Sequence, residues 1–383
     1  MPEVMKIGAH LRNVAPVYLG GGQAPVIFTH VGITGEGEML DRAISAEREK
    51  IRCAIAMGSD IICDVSLHPN IGYIQTKLLD GLEVPFASVP IYETYIRSEK
   101  NNLALSDQTF LDIIKAQIDR GVDILTLHAT VMRGDRDVMA GSGRLIPTTS
   151  RGGVLMLELL EANNCENPYY QHFDAILDLC REHGIALSLG PTYRPASVVD
   201  GYAGDALHQM ELKRMADLVV RAHNAGVGVM IEGIGHAALD KIPGLISLAR
   251  KLCGDVPYRI MSVSTDIAAG YDHISSAIAS AVAVQYGADS ITCVTRSEHI
   301  GIPSCDEVIE AVIAARIAAH SGYMARTGDM SRDKAVSRLR TERGCGGAAS
   351  VVLFPNSNML GEFSGSQSCT MCGGYCPLEK MFY

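Results

Sequence analysis

Residues 206 to 236 read ALHQMELKRMADLVVRAHNAGVGVMIEGIGH, and the change of rhythm inside this stretch decides the fold. Leu207, Met210, Met215, Leu218, Val219 and Ala222 recur at three- and four-residue spacing, while Glu211, Lys213, Arg214 and Asp217 mark an exposed face. That is the signature of an amphipathic helix. Gly226 then closes it, and 227 to 232 (VGVMIE) is an apolar run too short for a buried helix and rich in valine. A glycine just past a helix adopts the left-handed conformation without a clash, so the chain can turn straight into a buried strand. The same junction recurs at Gly58 before DIICD, Gly121 before DILTL, Gly184 before IALSL and Gly287 before DSITC.

Outward from this stretch, further strands fall at 25 to 31, 60 to 66, 84 to 90, 123 to 129, 185 to 190, 259 to 264 and 289 to 295. Helical patterns at 41 to 57, 107 to 120, 169 to 183, 239 to 253 and 273 to 286 lie between them. Eight strands alternate with helices, and no GxGxxG or Walker-type turn follows the first. The prediction is an α/β chain forming one (β/α)8 TIM barrel over 1 to 303, not an open nucleotide-binding sheet. Ser304 and Glu307 make an S-x-x-E capping box for a helix to about 320, and Ser331 starts another, so 304 to 345 reads as C-terminal helices. After Gly344 the composition shifts to Gly, Ala, Ser and Asn, and 346 to 383 reads as a flexible arm.

The 383 residues are 47% hydrophobic and 20% charged, which allows a large core. A net charge of −10 without any sustained Lys/Arg run argues against nucleic acid or an anionic membrane as partner. No charged-then-apolar leader and no run of about 18 uncharged apolar residues is present, so a cytoplasmic location is expected, with the thiols reduced. Of the eleven Cys, Cys53, Cys180, Cys253 and Cys293 fall in apolar patterns and read as core.

Barrel enzymes place their chemistry where strands end, at the C-terminal face. There the sequence puts Cys63 and Asp64, Tyr92, His128, Arg194, Glu232 and His299. Glu232-Gly-Ile-Gly-His236 brings a carboxylate and an imidazole onto one loosened turn; with His299, two imidazoles could share a metal and leave open positions, or be two unrelated hydrogen-bonded histidines. Ser150-Arg151-Gly152-Gly153 offers a hydroxyl, a guanidinium and backbone N–H groups at a helix start, a cradle for a phosphate or else an ordinary loop. Ser264 to Asp266 with Gly270 to His273 could bind substrate, or cap the next helix through Asp272. In the arm, Cys369, Cys372 and Cys376 are three thiols within eight residues, one short of a structural zinc set. A 4Fe–4S cluster with one open iron, a zinc site completed by a distant His or by Cys345, and disulfides are the readings.

Taken together, VPIY (89 to 92), LHA (127 to 129), SRGG (150 to 153), LSLG with RP after it (187 to 195), MIEGIGH (230 to 236), STDIAAGYDH (264 to 273), VTRSEHIGIP (294 to 303) and CTMCGGYC (369 to 376) resemble one family closely. It is the phosphomethylpyrimidine synthases of thiamine biosynthesis, which are radical S-adenosylmethionine enzymes. The resemblance implies a (β/α)8 barrel with a cluster-bearing arm. It implies that Cys369, Cys372 and Cys376 hold a 4Fe–4S cluster whose open iron takes S-adenosylmethionine, and that His236 and His299 bind Zn2+ or another divalent metal. Tyr92, His128, Ser150, Arg151, Gly152, Arg194, Glu232 and Tyr258 match positions that hold the small-molecule substrate, 5-aminoimidazole ribotide, and Cys63 stands where a methionine is usual. Glu232 and the cluster cysteines are then the catalytic set. A 5′-deoxyadenosyl radical would abstract hydrogen from the ribose phosphate, fed by an electron donor such as flavodoxin or ferredoxin. A homodimer with each arm over the partner's barrel mouth is also implied.

The chain departs from the family at Thr29-His30-Val31-Gly32, where an Asn-rich turn is usual, at Cys63, at Leu67-His68-Pro69-Asn70 and at Pro191, which replaces an aspartate. These departures leave open a paralogue with another product from the same ribotide, such as a 5-hydroxybenzimidazole synthase. Outside that chemistry stand a zinc-dependent hydrolase or aldolase-type barrel and a non-catalytic binding paralogue.

Overall fold

Residues 4–8, 12, 14–35, 39–99, 102–104, 106–344, 348, 351–354 and 371–382 are described by the structure, a computed structural model. An antiparallel pair, β1 (Val4–Ile7) and β2 (Val17–Gly20), precedes the barrel. The barrel strands are β3 (Val26–Val31), β4 (Ile61–Asp64), β5 (Phe86–Ser88), β6 (Ile124–Leu127), β7 (Ala186–Leu189), β8 (Val229–Gly233), β9 (Tyr258–Ile260) and β10 (Ser290–Thr292). All are parallel, and they close in the order β10-β3-β4-β5-β6-β7-β8-β9. Six lie inside the runs read from the sequence, while β8 ends one residue past its run at Gly233 and β9 starts one residue before its run at Tyr258, and the (β/α)8 barrel is thus the observed fold. The five junction glycines all have positive φ, from 64° at Gly184 to 119° at Gly287, as an immediate turn from helix to strand requires.

The helices follow the apolar periodicity closely: Leu40–Ala56, Asp107–Asp119, Phe173–His183, Ala206–Asn224, Ile242–Cys253 and Asp272–Gln285. Helices Ile71–Leu79, Pro90–Glu99 and Asp135–Ala140 were not foreseen, since each is short and the second is buried on most of its surface, which blurs the period. Two residues are placed differently from their reading. Glu211 is not on an exposed face but 1% exposed, because the loop after β7 needs its carboxylate. Cys53 is half-buried beside Cys305, not core, while Cys180, Cys253 and Cys293 are buried as expected.

The β1–β2 pair was also missed, being four residues a side with weak alternation. Its Met5, 2% exposed, packs on Gly228 at the foot of β8, where an added Cβ would sit 2.9 Å from the Met5 Cγ. The same end of the barrel carries a repeated clasp. Asp60, Asp123 and Asp289 each stand one residue before a strand and accept the N–H of the preceding sheet neighbour: Ile27 at 2.7 Å, Phe86 at 2.8 Å and Tyr258 at 3.0 Å. Each carboxylate also meets an arginine, Arg316 at 2.6 Å, Arg12, and Arg250 at 2.7 Å, respectively.

Contacts divide the chain into one unit over 1–322 and a second over 323–383. Ser304 and Glu307 form the expected capping box, with Glu307 Oε2 accepting from the Ser304 N–H at 2.6 Å, but the helix they open runs through Cys305–Thr327, beyond 320. The second unit holds the helix Ser331–Arg343, as predicted from Ser331, and a one-turn Gly373–Tyr375 followed by Pro377–Phe382. Cys345 and Cys369 lie outside the described residues. No helix among the described residues is long and apolar enough to cross a membrane.

Removing one member of a buried ion pair leaves its partner uncompensated and costs about 3 to 5 kcal/mol. Asp123→Ala, which strands both the Arg12 guanidinium and the Phe86 N–H, is expected to lower the urea-unfolding free energy by at least about 3 kcal/mol. A loss under about 1 kcal/mol would show that the clasp is not a stability element.

Candidate active site

The strands end around a cavity of about 380 Å³. Of the residues singled out by sequence, Cys63, Tyr92, His128, Ser150, Arg151, Gly152, Arg194, Glu232 and His299 line it. His236 and Tyr258 are not among the lining residues. Tyr258 is 1% exposed and lies under β8, its hydroxyl where a Gly233 Cβ would be. Of the departures, His30, Cys63 and Pro191 do line the cavity. His68 does not; it is buried and accepts the Asn70 N–H on Nδ1 at 3.0 Å, which makes it a turn residue.

The helix Arg151–Asn163 points its N-terminus at this space. Ser150 caps it, Oγ accepting from the Gly153 N–H at 3.2 Å. Gly152 is there for room: an added Cβ would lie 2.3 Å from His128 Cε1. The bare backbone lets the imidazole sit against the helix start. Arg151 is exposed, donates to the Val65 carbonyl at 2.9 Å and lies 4.6 Å from the centre of the Tyr92 ring, a cation held over an aromatic face. Arg194 approaches from the loop after β7, with a buried Nε that has no partner. Two guanidiniums and a helix N-terminus around one space are the groups that suit an anion.

Burial is the main reason that His128 is pushed down to about 4, against the pull of Glu232 and with Arg194 and Arg151 adding to it. Its ring is therefore neutral near pH 7 and its buried Nδ1 is unpartnered. Burial pushes the Cys63 thiol up to about 12, so it stays protonated. Glu232 takes two bonds on Oε1, from Ser188 Oγ at 2.5 Å and from Arg259 Nη1 at 2.9 Å. Arg259 was missed by the sequence reading; the only signal is a charged residue inside the apolar run that becomes β9.

The imidazoles of His236 and His299 face each other with ring centres 5.2 Å apart and planes at 69°. His236 Nδ1 is 2.7 Å from Asp266, and His299 Nδ1 is 3.2 Å from Asp272. Asp272 is thus not the cap of the following helix, whose N-cap is Tyr271, because its carboxylate turns to His299. With Nδ1 of each ring committed to a carboxylate, Nε2 is left as the lone-pair donor, the arrangement of a metal-binding histidine with its supporting acid. Burial, against the pull of Asp266, holds His236 below its ordinary value, which keeps it in the ligating neutral form. Two imidazoles so oriented fit a divalent ion with further positions open.

The loops bearing these groups are tied together. Asp266 also accepts from the Val198 N–H at 2.9 Å and Ser197 Oγ at 3.1 Å, and Pro195 O accepts from the His236 N–H at 3.0 Å. Glu211 holds the same loop by the Thr192 and Tyr193 N–H groups, its carboxyl pushed up to about 7 chiefly by burial. In the second unit, Cys372 and Cys376 flank the turn that contains Gly373 at φ 50°, with open space where either glycine's Cβ would be. Cys372 is half-buried and Cys376 is 7% exposed. Glu49, Cys53 and Cys305 also gather within 4.8 Å, but Arg52 occupies Glu49, and burial with the Cys305 hydrogen bond pushes the Cys53 thiol up to about 12. In that group Glu49 is exposed and the two thiols are half-buried.

A closed parallel barrel whose mouth unites an anion cradle with metal-ready imidazoles defines a barrel enzyme. The sequence matches the radical SAM ThiC family over residues 5–382. It is 36% identical over 382 residues to phosphomethylpyrimidine synthase of Geobacter metallireducens, spanning 96% of this chain and 86% of that one. It is 35% identical over 377 residues to phosphomethylpyrimidine synthase of Methanopyrus kandleri, with the same two coverages of 96% and 86%. Among solved structures, dihydropteroate synthase from Coxiella burnetii gives a TM-score of 0.48 at 10% identity, covering 85% of this chain and 100% of that one, and bears on nothing further here. The chain belongs to the radical SAM ThiC family. Its cofactors are accordingly a 4Fe–4S cluster and S-adenosylmethionine, and the family's place is pyrimidine synthesis for thiamine.

If the carboxylates support the imidazoles, Asp266→Asn and Asp272→Asn should each weaken Zn2+ binding by roughly ten- to a hundredfold, the usual effect of losing such a partner. Competition with a chromophoric chelator measures this; unchanged affinity in both variants would refute the support.

Proposed function

We propose that this chain converts 5-aminoimidazole ribotide to 4-amino-5-hydroxymethyl-2-methylpyrimidine phosphate, with the ribotide's phosphate on the cradle of Ser150, Arg151, Gly152 and Arg194. The carrying observation is convergence: residues from 63 to 299, picked from separate motifs, line one cavity. Cys369, Cys372 and Cys376 would hold the cluster, and His236 with His299 would hold Zn2+ or another divalent metal. With S-adenosylmethionine bound, the cluster supplies one-electron chemistry that starts hydrogen abstraction from the substrate. The chain's own part is position. Arg151 and Arg194 neutralise the phosphate, neutral His128 is free to give or take a hydrogen bond through its buried Nδ1, and Glu232 offers a carboxylate to a hydroxyl or amine. Tyr92 and Cys63, both buried, form part of the cavity wall.

The homodimer, the arm over a partner's mouth and a flavodoxin- or ferredoxin-like donor belong to this proposal through the family alone. A second reading, another product from the same ribotide, is favoured by His30, Cys63 and Pro191 lining the very cavity where the family's usual residues differ.

Anaerobic protein reduced in the presence of S-adenosylmethionine and the ribotide should yield the pyrimidine phosphate and 5′-deoxyadenosine by mass spectrometry; a different product mass would select the second reading. Cys372→Ala is expected to lose both the iron–sulfur absorbance and 5′-deoxyadenosine formation. Arg151→Ala should weaken ribotide binding by roughly ten- to a hundredfold in calorimetry, as loss of a charge-assisted bond does, whereas Cys63→Met should change it little. Equal effects of the two would disprove the cradle.

A further inference from the structure

Arg259 is a guanidinium inside the barrel, 2% exposed, at the inner end of the cavity. It ties together four neighbouring strands. From β9 its Nε donates to Thr292 Oγ1 on β10 at 2.8 Å, Nη1 to Glu232 Oε1 on β8 at 2.9 Å, and Nη2 to His30 Nε2 on β3 at 2.9 Å. The plane rests on the Phe28 ring, 4.1 Å from its centre. Nothing in this arrangement is adjustable, because an arginine only donates and stays charged at any accessible pH.

The consequence falls on His30. Burial first, then the Arg259, Arg194 and Arg151 guanidiniums, hold its imidazole well below the ordinary value, so the ring is neutral. A neutral imidazole has one lone pair, and Arg259 claims it at Nε2; the proton is then on Nδ1. His30 lines the cavity, and the one N–H of its ring is on Nδ1. Glu232 takes both its protein bonds on Oε1, which leaves Oε2 as an acceptor for a ligand. We propose that Arg259 is the positioning residue of this inner subsite: by holding His30 in its Nδ1–H form and Glu232 by Oε1, it sets a donor beside an acceptor and so selects a base offering a ring nitrogen and an amine together. The inference rests on the ribotide reading above and names the part of the ligand that reading leaves unassigned.

The test compares 5-aminoimidazole ribotide with ribose 5-phosphate, which has the phosphate and sugar but no base, by calorimetry on the full-length chain. The ribotide should bind roughly ten- to a hundredfold more tightly, the increment that hydrogen bonds to charged groups supply. Arg259→Met should abolish that increment and leave ribose 5-phosphate binding unchanged. Because a stranded Glu232 charge can unfold the single variant, Arg259→Met/Glu232→Gln removes the pair together and should behave alike. Long-range proton–nitrogen spectra of histidine-labelled protein, with His30 signals assigned by their loss in His30→Asn, should show the proton on Nδ1 in the parent and a mixture of forms in Arg259→Met. A parent with the proton on Nε2, or variants that keep the full ribotide increment, would overturn the inference. If ribose 5-phosphate binds but the ribotide gains nothing over it, the inner subsite fails while the cradle stands; if neither binds, the ribotide reading falls and takes the inference with it.

Discussion

Three carboxylates at the foot of the barrel bear the constraint on which everything above them rests. A closed parallel sheet needs its strands held in one register, and here Asp60, Asp123 and Asp289 each bind the backbone N–H of the neighbouring strand from a fixed position, one residue ahead of their own. A buried carboxylate is costly without a counter-charge, and Arg316, Arg12 and Arg250 supply it from other segments of the chain. The register of β3 against β4, β5 against β6 and β9 against β10 is thus specified by charge as well as by apolar burial. With the lower rim so fixed, the upper rim can accept loops chosen for chemistry.

At the upper rim the same economy of paired groups serves a different end. Glu211 and Asp266 both bind backbone N–H groups of the loop between β7 and the helix Ala206–Asn224, one at Thr192 and Tyr193, the other at Val198. Arg194 rides on that loop between the two anchors. Its stem packs against Gly235, where an added Cβ would lie 2.5 Å from the Arg194 Cγ. The turn that carries His236 and the loop that carries Arg194 are therefore one mechanical piece, and the metal-ready imidazole and the cradle guanidinium move together or not at all.

The barrel was legible because its evidence is local and repeated: an amphipathic period, a glycine, a short β-branched run, eight strands in all. The cavity residues were legible because they sit at strand ends in polar motifs. What escaped has one physical character, being a pairing between residues far apart in sequence. Arg259 looks like a misplaced charge until Glu232, His30 and Thr292 surround it. Glu211 looks solvent-exposed on a helical wheel until the Thr192 and Tyr193 amides are brought to it. Asp272 stands where a helix cap should be and spends its charge on His299 instead. His68 shows the reverse, a residue in a promising place that the fold uses as a turn, while Tyr258 is buried with its hydroxyl unpartnered.

Gly152 occupies the second position of a helix, where alanine would normally be the better former, yet His128 already fills the space a methyl group would need. The two positions therefore cannot drift separately. A lineage that keeps the imidazole must keep the glycine, and one that loses the imidazole is released to recruit a side chain at 152, closing the helix N-terminus to anions as it does so. Variation at these two sites read side by side would thus separate descendants that keep the helix start open from those that have filled it.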